Sequence, residues 1–284
     1  MKRGPQTEQV LRREERPPAN RSVDRACAVL SAFTIDQPTL TLAELARRVD
    51  LPKPTVHRLV SSLVARGFMI HRSDGRYGLG VKLMECGAVV RENLDVVRQC
   101  ASAVDAVATA TAETVLVAAA DWPTQELVVV ARTDSPHMLS VISPVGRRLK
   151  MPPGGSLARA LLSALPPAEA ASIIGRLPLE PSTPKTHVDK RVLLRDLEEA
   201  RELGFAAERD EYIDGVSGVA VPVIFDATRP LAGIAVVGPT SRLADEIARI
   251  GELLRDATAH LRPPPAPVPD GNGGRPARTQ SPPT

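Results

Sequence analysis

Thr41-Leu42-Ala43-Glu44-Leu45-Ala46-Arg47-Arg48-Val49-Asp50-Leu51-Pro52-Lys53-Pro54-Thr55-Val56-His57-Arg58-Leu59-Val60 is the stretch on which the fold turns. Its first four residues have the form of a capping box, in which the Thr hydroxyl and the Glu carboxylate each satisfy a free amide at a helix start. Leu42, Leu45, Ala46 and Val49 follow as an apolar stripe, which predicts a helix from about Leu42 to Val49. Asp50-Leu51-Pro52-Lys53 reads as a short turn. Pro54 suits a first-turn position, where its missing amide is harmless, and Val56, Leu59, Val60, Leu63 and Val64 repeat at helical spacing until near Gly67.

Working outward, Ser22 is a plausible N-cap for an earlier helix carrying Val23, Ala26, Cys27, Leu30 and Phe33 inward. Downstream, Phe68 to Arg72 and Arg76 to Leu79 are short extended runs around Ser73-Asp74-Gly75, and Asp-Gly there is a strong hairpin signal. Three helices and a hairpin predict a winged helix-turn-helix over residues 21–80. The outer face of its third helix holds Thr55, His57, Arg58, Ser61 and Ser62 and no carboxylate. A helix enters the DNA major groove only with donors for base edges and phosphates and without repelling acids. On this reading Arg58 addresses guanine, Thr55 and Ser61 bond bases or phosphate, and Lys53, at the helix start beside Pro54, neutralises a phosphate. Arg72 and Arg76 charge the wing. A polar helix face is by default merely solvated. The capping box, the helix spacing, the wing and the clustered cations, occurring together, favour DNA instead.

Charge is split in the same sense: residues 21–80 hold nine Lys/Arg against five Asp/Glu, whereas residues 81–262 hold 20 against 24. A basic small domain beside an acidic larger one suggests a polyanion at one end only. Only seven aromatic residues are present, so Ala and Val must fill the cores. No apolar run reaches the roughly 18 residues of a membrane span, and Met1-Lys2-Arg3 leads into charged sequence, so a cytoplasmic protein without membrane contact is expected. Cys27, Cys86 and Cys100 form no Cys-x-x-Cys pair and read as reduced packing residues. Residues 1–20 and the Pro-rich 262–284 read as disordered.

Residues 81–93 predict a linker helix, whose stripe of Val81, Leu83, Met84, Cys86 and Val90 is too broad for an exposed connector. It packs on its own domain or forms a dimer seam; the pattern alone does not separate these. For residues 94–261 the periods predict a helix to Ala112 and strands at Thr114–Ala120 and Glu126–Ala131. Helices follow at Leu157–Ala164, Pro167–Ile174 and Asp189–Leu203, then strands at Val219–Phe225 and Leu231–Val237, and a last helix from about Ser241 to Leu261. This order suggests an α/β (α+β) domain with a mixed sheet covered by helices.

As an ordered set, Ser22-Val23-Asp24-Arg25-Ala26, Leu40 to Ala46, Leu51 to Leu59, Gly67-Phe68 and Arg76 to Gly80 resemble the IclR family of bacterial transcriptional regulators. The usual Ser after the Lys is Pro54 here. The second half resembles the family's GAF-like effector domain at Glu113-Thr114-Val115, Gly146 to Leu149, Thr183 to Thr186, Gly204-Phe205-Ala206, Gly215-Val216-Ser217, Val221-Pro222-Val223 and Gly238-Pro239. The resemblance implies a homodimer or homotetramer that binds double-stranded operator DNA, more often as a repressor, and responds to a small organic effector without a cofactor.

It also implies an effector cup formed by the loop before a helix, Gly154-Gly155-Ser156-Leu157, with Glu208 and the strand positions Gly218, Ala235 and Val237. The family's frequent Cys is Gly218 here, and its polar positions on the last strand are Ala235 and Val237. A cup with fewer polar groups suits an apolar or aromatic organic acid, held by the free amides at the Leu157 helix start. The alternative is a dimeric DNA-binding protein whose second domain binds no ligand and serves assembly only. No catalytic residue is assigned: Gly215-Val216-Ser217-Gly218-Val219 lacks the final Gly of a nucleophile elbow, and phosphate-loop and dinucleotide motifs do not occur. His137, His187 and His260 have no second ligand at metal spacing, so no metal is expected.

Overall fold

The computed structural model describes residues 20–151, 155–224 and 232–261. Of the segments expected to be disordered, 1–20 and 262–284, Asn20 is described and caps α1; residues 1–19 and 262–284, the loop residues Pro152, Pro153 and Gly154, and the strand ends at Phe225 and Leu231 lie outside the described residues. The chain divides into two compact units, Met1–Leu94 and Asp95–Thr284.

The first unit comprises α1 (Arg21–Ser31), β1 (Thr39–Leu40), α2 (Leu42–Arg48), α3 (Lys53–Ala65), β2 (Met69–His71), β3 (Tyr77–Leu79) and α4 (Lys82–Asn93). The cap of α1 is Asn20 instead of Ser22. Its Oδ1 accepts the Ser22 amide at 3.1 Å and the Val23 amide at 3.5 Å, from extended backbone that Ser22 has already left. In α2 the capping box closes both ways: the Glu44 amide donates to Thr41 Oγ1 at 3.2 Å, and the Thr41 amide donates to Glu44 Oε2 at 2.7 Å. The apolar stripes of the three helices meet in one core, with Val29, Leu45, Val56, Val60 and Met69 buried. Truncating Leu45 to Ala there costs about 2–5 kcal/mol. The hairpin is wider than expected. The two residues of β1, too few to carry a period, pair with β3 and make a three-stranded sheet of order β1-β3-β2. The sheet returns to the helices where Gly80 donates to Phe68 O at 2.8 Å; a Cβ on Gly80 would stand 2.1 Å from Gly67 O, so only glycine fits.

The second unit comprises α5 (Asp95–Thr111), β4 (Thr114–Asp121), β5 (Glu126–Thr133), β6 (Arg148–Lys150), α6 (Ser156–Ser163), α7 (Pro167–Arg176), α8 (Lys190–Leu203), β7 (Ala206–Arg209), β8 (Val216–Val223), β9 (Ala232–Pro239), α9 (Thr240–Leu243) and α10 (Ile247–Ala257), then a single 3₁₀ turn at Ala259–Leu261. The sheet order is β6-β5-β4-β9-β8-β7. The expectation of a mixed sheet is corrected: every pairing among the described strands is antiparallel. Helices α6 to α8 lie between β6 and β7 at opposite edges of the sheet, so they are not crossovers between parallel neighbours. The last helix is also broken. Arg209 donates to Ala244 O at 2.9 Å, taking a carbonyl that a continuous helix would use, and the chain restarts at Ile247.

Small residues set how closely helix and sheet approach. Ala118, Ala206, Ala220 and Ala235 form one core with Leu157 and Leu161 of α6, and a Cβ on Gly233 would stand 2.9 Å from Leu157 Cδ2. With so few aromatics, this close approach replaces bulky side chains as the means of filling the interior. It also brings the first turn of α6 down onto the sheet.

Candidate functional site

In the first unit, α3 starts from Pro52, which offers no side-chain cap, and has no acidic residue in its first turn. The positive end of its dipole is therefore uncompensated and stands beside Lys53. Lys53, Pro54, His57, Arg58, Ser61 and Ser62 are exposed, and Thr55 is half-buried. Among the described residues Lys53 and Arg58 have no ion-pair partner, whereas Ser62 Oγ spends its proton on Arg58 O at 3.0 Å. The surface is a row of donors and cations, because Val56 and Val60 occupy the other side of the helix and are buried.

The wing divides its two arginines. Arg72 is exposed near the turn, which is closed by the Arg72 amide donating to Arg76 O at 2.8 Å and by Gly75 at φ 78°. Arg76 turns back into its own domain: Nε donates to Thr39 Oγ1 at 3.1 Å, and Nη2 donates to Thr39 O at 3.0 Å and pairs with Glu44 at 3.4 Å. His71 and Tyr77 stack across the strands with centroids 4.6 Å apart.

In the second unit, antiparallel register puts Glu208 opposite Gly218, and Gly218 opposite Val237. Side chains alternate along a strand, so these three positions share one face of the sheet. The next row on that face is Ala206, Ala220, Ala235 and Leu116. A cavity opens there, with about 570 Å³ of empty space counted out to its mouth. Gly155, Ser156, Leu157, Glu208 and Val237 line it; Gly218 lies beneath Ser156 and Glu208, and Ala235 is fully buried in the core under α6. Sequence reasoning missed Leu116, Leu127, Leu149, Ile213 and Val216 of its apolar wall, and also Lys150 and Tyr212. Nothing local marks these residues; only the pairing of six strands brings them together.

The polar groups of the cavity are few. Gly155 caps α6 at φ 104° with no side-chain hydrogen bond, leaving the first-turn amides uncapped. A Cβ on Gly218 would meet Ser156 Oγ at 2.8 Å and Glu208 Oε1 at 3.5 Å, so both atoms flank one point above that glycine. Ser156 and Glu208 are buried residues, and neither Ser156 Oγ nor Glu208 Oε1 has a hydrogen-bond partner among the described residues, although both atoms remain open to solvent; the one fully buried side-chain polar atom without a partner among the described residues is Arg159 Nε. The other oxygen, Glu208 Oε2, accepts the Glu211 amide at 3.0 Å and the Tyr212 amide at 3.4 Å. Burial pushes the Glu208 carboxyl up to about 7, against the pull of these amides and of Arg159.

Behind Glu208 lies a buried ion pair. Arg159 Nη1 donates to Glu211 Oε1 at 2.9 Å and to Ala207 O at 3.0 Å; Nη2 bonds Glu211 Oε2 and lies 3.3 Å from Asp196, which also pairs with His187 Nδ1 at 2.7 Å. Burial works against the Arg159 charge, but Glu211 raises that guanidinium above its usual range. Among the described residues no group of three or more His, Cys, Asp or Glu side chains has metal-binding geometry, and no helix is long and apolar enough to cross a membrane.

Comparison with known proteins covers both units. Residues 22–69 match the model of the IclR helix-turn-helix domain, and residues 88–262 match that of the bacterial transcriptional regulator IclR C-terminal domain. The HTH-type transcriptional repressor AllR of Escherichia coli strain K12 is 31% identical over 242 residues, 84% of this chain and 88% of that protein. An IclR homolog of Microbacterium hydrocarbonoxydans, solved in complex with 4-hydroxybenzoate, is 26% identical with TM-score 0.71, over 84% of this chain and 97% of that one. An IclR-type regulator of Alicyclobacillus acidocaldarius shares the fold with TM-score 0.78 at 23% identity, over 86% and 98% of the two chains.

Proposed function

This chain belongs to the IclR family of bacterial transcriptional regulators, which bind DNA and are not enzymes, and we propose that it is a cytoplasmic repressor whose operator affinity is set by a small organic acid. The α3 face enters the major groove, with Arg58 and Ser61 at base edges, Lys53, Thr55, His57 and Ser62 at bases or phosphates, and Pro54 shaping the helix start. Arg72 contacts the flanking backbone, and Arg76 holds the wing in place. One helix reads few base pairs, so two heads are needed for two half-sites. The exposed Met84 and Val90 of α4, with Val81 at its N-cap, support a homodimer, or a tetramer made from two, joined along that helix.

The effector reading is carried by one observation: on two buried residues, Ser156 Oγ and Glu208 Oε1 have no hydrogen-bond partner among the described residues and converge beside the uncapped start of α6 in a largely apolar cavity. A ligand's polar head supplies, in place of solvent, the hydrogen bonds that these two atoms do not make within the protein. The apolar wall takes an aromatic or aliphatic body, of the kind that the 4-hydroxybenzoate bound by the Microbacterium homolog represents. An effector that prefers one spacing of the paired heads changes operator affinity by its differential affinity for the two states.

Footprinting of the DNA upstream of the gene for this chain, with and without a panel of aromatic and aliphatic acids, tests the reading. Protection of two half-sites that an acid relieves is expected. Protection that no acid alters, with no acid raising the melting temperature, would leave the second unit as an assembly module only.

A further inference from the structure

We propose that effector binding takes up a proton: the carboxylate of an acidic effector seats between the first turn of α6, Ser156 Oγ and Glu208 Oε1 only when Glu208 is protonated. This rests on the cavity being the effector site. The first-turn amides and the Ser156 hydroxyl are donors, and Lys150 adds a cation to the cavity wall, so this end of the cavity is built for an anion. Glu208 is the exception. Ionised, its free oxygen would face the effector's carboxylate across the point above Gly218, and two carboxylates sharing one site do not both stay charged. Protonated, the same carboxyl donates a hydrogen bond and completes the donor set.

The charged neighbours decide which carboxyl takes the proton. Arg159 of α6 lies behind Glu208 but is engaged by Glu211 through both terminal nitrogens, with Asp196 beside it. Glu211, after β7, repels a charge on Glu208, and the Tyr212 ring is neutral at physiological pH. His187 Nδ1 bonds Asp196 at 2.7 Å and lies 3.7 Å from Glu211 Oε2, so the carboxylates it faces directly are Asp196 and Glu211. Glu208 therefore has no cation of its own, and its value of about 7 puts the change within the physiological range.

Calorimetric titration and thermal shift of the full chain with benzoate and its neutral isostere benzamide test this. Between about pH 7 and pH 8.5 benzoate should weaken at least tenfold in the wild type, while benzamide holds or improves. Titration at about pH 8 in two buffers of different ionisation enthalpy should show uptake of close to one proton with benzoate. In Glu208→Gln, which keeps size and polarity, benzoate should lose this dependence. Benzoate binding that is independent of pH in the wild type, or a slope that survives in Glu208→Gln, overturns the proton linkage and leaves the cavity as a ligand site. Binding of neither probe, at any pH, removes the cavity reading and the linkage with it.

Discussion

The Arg76 guanidinium, one residue before β3 of the wing, reaches Glu44 Oε2 at 3.4 Å, and that same oxygen takes the Thr41 amide at 2.7 Å. One carboxylate oxygen thus closes the start of α2 and fixes the wing to it. The Thr41 hydrogen bonds and Arg76 hold the Glu44 carboxyl below its ordinary range, so the contact persists in mildly acidic solution.

Arg76→Ala should therefore act through wing position. We expect a lower melting temperature and a loss of DNA affinity that is similar for all sequences, read by thermal melts and gel shifts at fixed salt. Thr41→Ala, which breaks the same node from the helix side, should cost about 0.5–2 kcal/mol in urea unfolding. An Arg76→Ala protein with unchanged melting temperature would mean the contact carries no structural weight.

Arg58→Ala should behave in the opposite way. Arg58 is exposed and unpaired, so its loss leaves the melting temperature unchanged while operator binding weakens by about 1–3 kcal/mol, with relaxed specificity at one base pair. Equal weakening on operator and random DNA would assign Arg58 to a phosphate.

The first unit was legible because its information is local. A capping box, an apolar period and an Asp-Gly turn each declare themselves within a few residues, and the structure moved only the cap of α1 and added the two-residue β1. The direction of Arg76 was not legible, because Glu44 lies 32 residues earlier in the chain. In the second unit the periods located the long strands, whereas β6 and β7, of three and four residues, exist only through their partners. The register Glu208–Gly218–Val237 joins three strands that no local pattern aligns. The raised carboxyl of Glu208 follows from burial, which a charged residue in sequence does not advertise.

The stability of the second unit should depend on Glu208 with a definite sign. Its folded value of about 7 lies above the ordinary 4.5, so between these pH values the folded chain holds more protons than the unfolded chain. Stability is lost as pH rises through that window, and the deficit is complete above 7. Glu208→Gln removes the deficit, so it should melt higher than the wild type at about pH 8, by up to about 3 kcal/mol, and converge with it near pH 4.5. A wild type that melts higher at pH 8 contradicts this assignment.

Arg159 and Glu211 should be coupled. Removing one partner strands a buried charge, so Arg159→Met and Glu211→Gln each should cost about 3–5 kcal/mol in urea unfolding. The double variant Arg159→Met/Glu211→Gln should cost clearly less than the sum. Additive losses would mean the two side chains do not act as a pair.

The most direct measurement of the central claim is fluorescence anisotropy of labelled upstream DNA titrated with the full chain at one salt concentration, with and without a saturating acid found by thermal shift. The account predicts that the acid moves the midpoint several-fold and that Val237→Phe, which fills the cavity floor, binds DNA normally but loses that movement. Identical midpoints with and without a demonstrably bound acid would contradict it.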